Sequence, residues 1–170
     1  MLTGNQPAPN QLQERRSESH QLIEELIHTR TELLLLYAQL AGNTPFADEL
    51  DEETQETLTE FCEILIDYTA DAHFRLYRFI DENKEKRKAV LDIAESSYQR
   101  ITEITQTILD FNDRYFRDPD HDDAGSSNDI AVKTLESDLS QLGEILAERI
   151  ELEDMLIEAM VRGRKAPAKA

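Results

Sequence analysis

Tryptophan is absent from this sequence, and cysteine occurs once. A lone cysteine excludes an intramolecular disulfide and fits a reducing cytosol. Cys62 stands on the apolar side of a helical pattern, which favours a buried small hydrophobe over a reactive thiol. Glycine and proline are scarce, five of each in 170 residues, so few points interrupt a helix. Basic side chains are outnumbered, 18 against 36 acids, for a net charge of −18. Phosphate contact needs a cationic surface, so this balance argues against direct nucleic-acid binding. An acidic chain is steered instead toward basic protein surfaces, such as those that hold DNA. A salt-rich medium would explain the same charge, and both can hold together. The longest apolar run, residues 33–41, is interrupted and too short to span a bilayer. The first ten residues lack the basic-then-apolar pattern of a signal peptide. These absences describe a soluble cytoplasmic protein without membrane contact.

What is abundant is Leu, Ile, Glu, Gln and Ala, a composition that favours helices. The length suits one domain with a sizeable core. Residues 1–10, with two prolines and a glycine, read as a tail. A helix over residues 11–40 follows, with Leu22, Leu26, Leu33, Leu36, Tyr37 and Leu40 on one face. Ile23, Ile27 and Leu34 widen that face. Gly42 and Asn43 stop the helix, Pro45 prevents its resumption, and Phe46 can tuck against the core. A second helix begins near Asp51, where three acids suit the positive end of the dipole, and runs to about residue 82. A third spans residues 86–116 on a stripe of Val90, Ala94, Ile101, Ile104, Ile108 and Phe111. Residues 117–128 form a loop, and Asn128 or Asp129 caps a fourth helix reaching residue 162. Leu135, Leu139, Leu142, Leu146, Leu156 and Met160 make its stripe. Residues 163–170 are a basic tail. Four long helices with short links predict an all-α, up-down antiparallel bundle over residues 11–162.

Residues 61–80 organise the chain. Leu58, Phe61, Leu65, Ala72, Leu76 and Phe79 recur at helical steps and form an inward stripe. The opposite face holds Glu63, Asp67, Asp71, Phe74 and Arg78. A large aromatic there, one turn from two aspartates, suits a docking face with an apolar anchor and acidic neighbours. Single exposed apolar residues are also ordinary, and that reading stands beside the first.

Several polar residues fall inside the apolar stripes. Arg149 and Glu153 sit four apart at the centre of the fourth helix's face. Arg30 lies between Leu26 and Leu34, His73 at the edge of its stripe, and Asn112 inside that of the third helix. A buried charge must be paired, so a polar cluster of Arg30, His73, Arg149 and Glu153 is predicted within the bundle, with Glu153 accepting from an arginine. It would fix helix register, or form a small pocket for an ion or ligand.

Tests for chemistry fail. Glu25-x-x-His28 has the spacing of half a carboxylate-bridged di-metal site, but only one copy exists. The loop from Asp120 has calcium-loop acids and Gly125, yet Ala131 stands where a bidentate glutamate belongs. Neither a phosphate-cradling glycine loop nor a nucleophile elbow occurs. The chain reads as a non-enzyme with no metal and no cofactor.

Three segments carry a resemblance. One holds Phe61, Cys62, Asp67, Tyr68, His73, Phe74 and Tyr77. Another holds Leu142-Gly143-Glu144, Leu146, Arg149, Leu152-Glu153-Asp154 and Leu156-Ile157. The third is His28-x-Arg30 with its following leucines and Tyr37. Together they resemble the regulator-of-sigma-D family, Rsd and AlgQ, in register from about residue 12 to residue 162. Phe111-Asn112-Asp113-Arg114 is similar to the AlgQ branch. The resemblance implies a helical anti-sigma factor that binds region 4 of the primary sigma factor of RNA polymerase. That blocks sigma's contact with core polymerase and −35 promoter DNA and favours alternative sigma factors in stationary phase. It implies Asp67 as the charge partner of a sigma arginine, with Ala70, Asp71, Phe74 and Tyr77 around it, in a protein expected to be monomeric. Departures are Ala72 for the family's glycine, Arg78 for glutamate, and Glu25-Leu26 for an Arg-Trp pair. They leave room for an alternative, a helical adaptor with a different basic partner.

Overall fold

The computed structural model describes residues 9–44, 48–78, 87–118, 120 and 130–165. Helix α1 spans Pro9–Asn43, α2 Glu52–Asp71, α3 Lys88–Tyr115 and α4 Val132–Lys165. No strand occurs among the described residues. Each helix packs on its neighbours in chain order, and α4 closes the ring against α1. The result is the all-α up-down bundle that the four stripes require.

The helix ends follow local chemistry. Asp51 caps α2, its carboxylate accepting the Thr54 amide at 2.7 Å, and Glu52 and Glu53 occupy the first turn. That bond, from the Thr54 side chain and amide together, holds the Asp51 carboxyl below its ordinary pKa. Several boundaries differ from the sequence reading, and α1 runs through Gly42 to Asn43 instead of ending near residue 40. Helix α1 begins at Pro9, a residue suited to a first turn, ahead of the expected start at residue 11. Helix α4 starts at Val132, past the expected cap, and continues to Lys165 into the expected tail. Residues 1–8, Phe46, Phe79, the proposed caps Asn128 and Asp129, most of the loop from Asp120, and residues 166–170 lie outside the described residues.

The core is what the stripes predict for α2, α3 and α4. Phe61, Leu65, Ile104, Ile108, Leu135, Leu142 and Leu146 are all buried. Phe61 meets Phe111 edge-on at 6.0 Å and leans on Tyr37 at 6.2 Å. The α1 face is narrower than expected. Ile27 and Leu34 are exposed rather than core, because α1 packs mainly on α2 and leaves its flank to solvent. Gly143 has a packing reason. The Tyr37 hydroxyl donates to the Leu139 carbonyl at 2.8 Å and occupies the space that a Cβ at Gly143 would need.

Beyond Asp71 helix α2 changes pitch. Residues Ala72–Tyr77 form a π-helical segment, and the Arg78 amide donates to the His73 carbonyl, five residues back. Such widened turns recur at functional positions. Here the segment buries Ala72, Leu76 and Tyr77 while His73, Phe74 and Arg75 remain outside.

Candidate partner-binding face and buried polar cluster

Two polar systems share α2, one on each side. On the inner side, Arg149 and Glu153 are fully buried. Arg149 Nε donates to Glu153 Oε1 at 2.8 Å, and its Nη1 donates to Thr105 Oγ1 at 2.9 Å on α3. Arg30 of α1 donates through Nη2 to Glu153 Oε2 at 3.2 Å and through Nη1 to Asp154 at 2.7 Å. Its Nε donates to the Tyr68 hydroxyl at 3.1 Å, and that hydroxyl donates in turn to Glu153. Three helices therefore meet at Glu153, and Arg149 ties in α3 through Thr105. Burial alone would lower the Arg30 pKa, but Tyr68, Asp154 and Glu153 outweigh it and hold it above its ordinary value. Burial, then the Glu153 charge, pushes the Tyr68 hydroxyl up as well. With two cations and two carboxylates the cluster balances, which is what a buried ionic network requires.

His73 does not belong to it. The imidazole is exposed and stands edge-on to Phe74, ring centroids 5.2 Å apart. It lies in the π segment, outside the stripe edge that α-helical spacing assigned. Tyr68, Thr105 and Asp154 complete the cluster instead. Tyr68 entered the sequence reading only as one of the residues of the resemblance, and Thr105 and Asp154 were not assigned to the cluster.

On the outer side, Glu63 and Asp67 are exposed, and among the described residues neither has an ion-pair partner. Ala70 and Asp71 are half-buried, and Phe74 is 59% exposed. Partial burial, then the Asp67 charge, raises the Asp71 pKa. Asp71 also meets Arg75 Nε at 3.4 Å, and Arg75 Nη1 pairs with Glu25 of α1. Arg75 went unnoticed in sequence because its partner lies on another helix. Tyr77 is 6% exposed and lies beside Ser97, near Arg149 and Glu153. It is thus a core residue rather than free contact area, since the π segment turns it inward. Burial pushes its hydroxyl up to about 12. Cys62 is fully buried, and burial pushes its thiol up to about 12, which leaves no thiolate at neutral pH.

Among the described residues no group of three metal-ligating side chains stands together. Glu25 is engaged by Arg75, and His28 lies 3.5 Å from Glu32. No described helix is long and apolar enough to cross a membrane.

Comparison with known proteins decides the family. Residues 7–161 match the model described as regulator of RNA polymerase sigma(70) subunit, Rsd/AlgQ. The chain belongs to the Rsd/AlgQ family. It is 32% identical over 148 residues to the regulator of sigma D of Yersinia pseudotuberculosis serotype O:3 (strain YPIII), covering 86% of this chain and 83% of that protein. It is likewise 32% identical over 146 residues to the regulator of sigma D of Enterobacter sp. (strain 638), covering 86% and 84%. No solved structure matches. Sigma-factor regulation is the activity that membership in the Rsd/AlgQ family carries. Both polar systems of α2 lie within the matched residues. The Arg30–Tyr68–Arg149–Glu153 network joins α1, α2 and α4 of this Rsd/AlgQ bundle, and Glu63 and Asp67 stand exposed on the outer face of α2.

Proposed function

We propose that the protein is an anti-sigma factor that binds region 4 of the primary sigma factor, with Asp67 and Phe74 at the centre of contact and Ala70 and Asp71 flanking them. The observation that carries this reading is the pairing of the family match with an outward carboxylate and an outward aromatic on one helix. An exposed Phe74 offers apolar area of the kind that dominates binding energy. Asp67, with no cation partner among the described residues, is available for an arginine, and a bidentate carboxylate–guanidinium contact is strong once water is excluded. Region 4 reads DNA with a helix-turn-helix whose cationic surface complements this face. Occupying it would keep sigma from core polymerase and from −35 promoter DNA and favour alternative sigma factors in stationary phase. The protein acts in the cytoplasm as a monomer, without catalysis and without contacting nucleic acid. Tyr77 contributes by packing beneath Phe74's segment rather than by touching sigma.

Isothermal titration calorimetry against the region 4 domain of the host's primary sigma factor tests this. Wild-type protein binds, and Asp67→Ala and Phe74→Ala each weaken binding by tenfold or more, about 1.4 kcal/mol, while remaining helical. Absence of wild-type binding at low salt would refute the reading.

A further inference from the structure

The π segment of α2 packs against α1 and divides its side chains between two sides. Ala72, Leu76 and Tyr77 are buried, while His73, Phe74 and Arg75 stand outside. His73 and Phe74 meet each other edge-on. Arg75 reaches further. Its Nη1 pairs with Glu25 Oε2 on α1, and its Nε stands 3.4 Å from Asp71 Oδ1, one turn back on α2. Glu25 is itself held, since its Oε1 accepts from Gln21 Nε2 at 3.3 Å. Both oxygens of that carboxylate are engaged, and the Arg75 guanidinium lies between acids from two helices. The Arg75 and Glu25 side chains are 42% and 43% exposed, and an ion pair so open to water adds little to global stability. Its place gives it another use. Arg75 follows Phe74 directly, within the stretch of α2 where the Arg78 amide reaches back five residues to His73.

We propose that Arg75 is a positioning residue, clamped between Glu25 and Asp71 so that the π segment keeps Phe74 in the place where the partner meets it. The inference rests on the anti-sigma reading for the identity of that partner. Fixing a recognition segment beforehand lowers the ordering cost at binding. A guanidinium suits the task, because its planar fork offers separate edges to two carboxylates, whereas the point charge of lysine serves one at a time. Glu25 acts on recognition through Arg75, from another helix and without touching sigma. Charge alone predicts the opposite pattern for the two residues. Neutralising Arg75 makes the face more acidic and favours a basic partner, and neutralising Glu25 does the reverse. Positioning requires that both changes weaken binding.

The test uses the full chain as wild type, Glu25→Gln, Arg75→Gln, Arg75→Lys and the Glu25→Gln, Arg75→Gln double variant. Arg100→Gln is the control, since it breaks an exposed 2.6 Å pair with Glu148 between α3 and α4 and also makes the chain more acidic. Hydrogen exchange followed by nuclear magnetic resonance reads the amides of residues 75–78, and calorimetry reads binding of region 4. Each single glutamine variant speeds exchange in the π segment about threefold or more and weakens binding roughly two- to tenfold. Arg75→Lys falls between wild type and Arg75→Gln. The double variant binds no worse than the weaker single, because both residues form one clamp. Arg100→Gln changes neither readout. Tighter binding by Arg75→Gln would mean that net charge governs recognition and would overturn the proposal. Losses that multiply in the double variant overturn it as well. So does faster exchange with region 4 binding unchanged, which leaves the anti-sigma reading standing. If wild type fails to bind region 4 while both variants loosen the segment, the sigma reading falls and the clamp remains.

Discussion

Asp67 and Tyr68 are neighbours in the chain and face opposite ways. Tyr68 points into the bundle, where it, Arg30, Arg149 and Glu153 link three helices and Thr105 brings in the fourth. Asp67 points out, where among the described residues no cation answers it. The inner charges hold the helices in register and leave little for a partner. The outer charges are not tied across the bundle in this way. On the proposed reading, a single helix separates assembly from recognition by about 100° of rotation per residue.

The sharpest way to break that comparison is Glu153→Ala. It leaves two buried arginines without their shared acceptor, and it should cost about 3–5 kcal/mol in chemical denaturation. A loss below 1 kcal/mol would mean that the cluster is not what secures the bundle. Gly143→Ala should come next, about 1–3 kcal/mol, because the new methyl displaces Tyr37 from its bond to Leu139. On the outer side, Asp67→Ala and Phe74→Ala should each change stability by no more than about 0.5 kcal/mol in the same experiment. A large loss from either would erase the division between the two sides. The smallest effect concerns pH. Asp51 has a carboxyl held below its usual value by its cap to Thr54. Its stabilising contribution is therefore present above the unfolded carboxylate range and is lost as pH falls through the lower folded value. Asp51→Asn, which keeps a capping oxygen without a titrating group, should flatten that acid limb in a series of melts between neutral and acidic pH.

The two sides were not equally legible in the sequence. Arg149 and Glu153 announced themselves because charges at the centre of a leucine stripe must be paired, and Arg30 followed for the same reason. Their neutral partners did not, since Tyr68 and Thr105 look like any helical aromatic and any helical threonine. Helix α1 looked wider than it is, because periodicity reports which side is apolar but not how much of it a neighbour covers. Tyr77 was placed at the contact by the resemblance, whereas the chain turns it inward beyond Asp71, where the 3.6-residue period ends. His73, placed from its spacing at a stripe edge, is exposed in that same segment. The link from Arg75 to Glu25 also answers one departure from the family pattern. The acid on α1 has a cation waiting for it on the π segment.

That π segment amounts to one surplus residue stored inside an otherwise ordinary helix. Insertions are normally absorbed in loops, where they leave the core untouched. Here the surplus sits within a core element, beside the exposed Phe74, and the bundle tolerates it because Ala72, Leu76 and Tyr77 still find the interior. A lineage could therefore lose that residue and keep an unbroken helix, its core intact. What it would give up is the outward swell that presents the aromatic ring, so the length of one helix, rather than the identity of any surface side chain, becomes a lever on whom the protein meets.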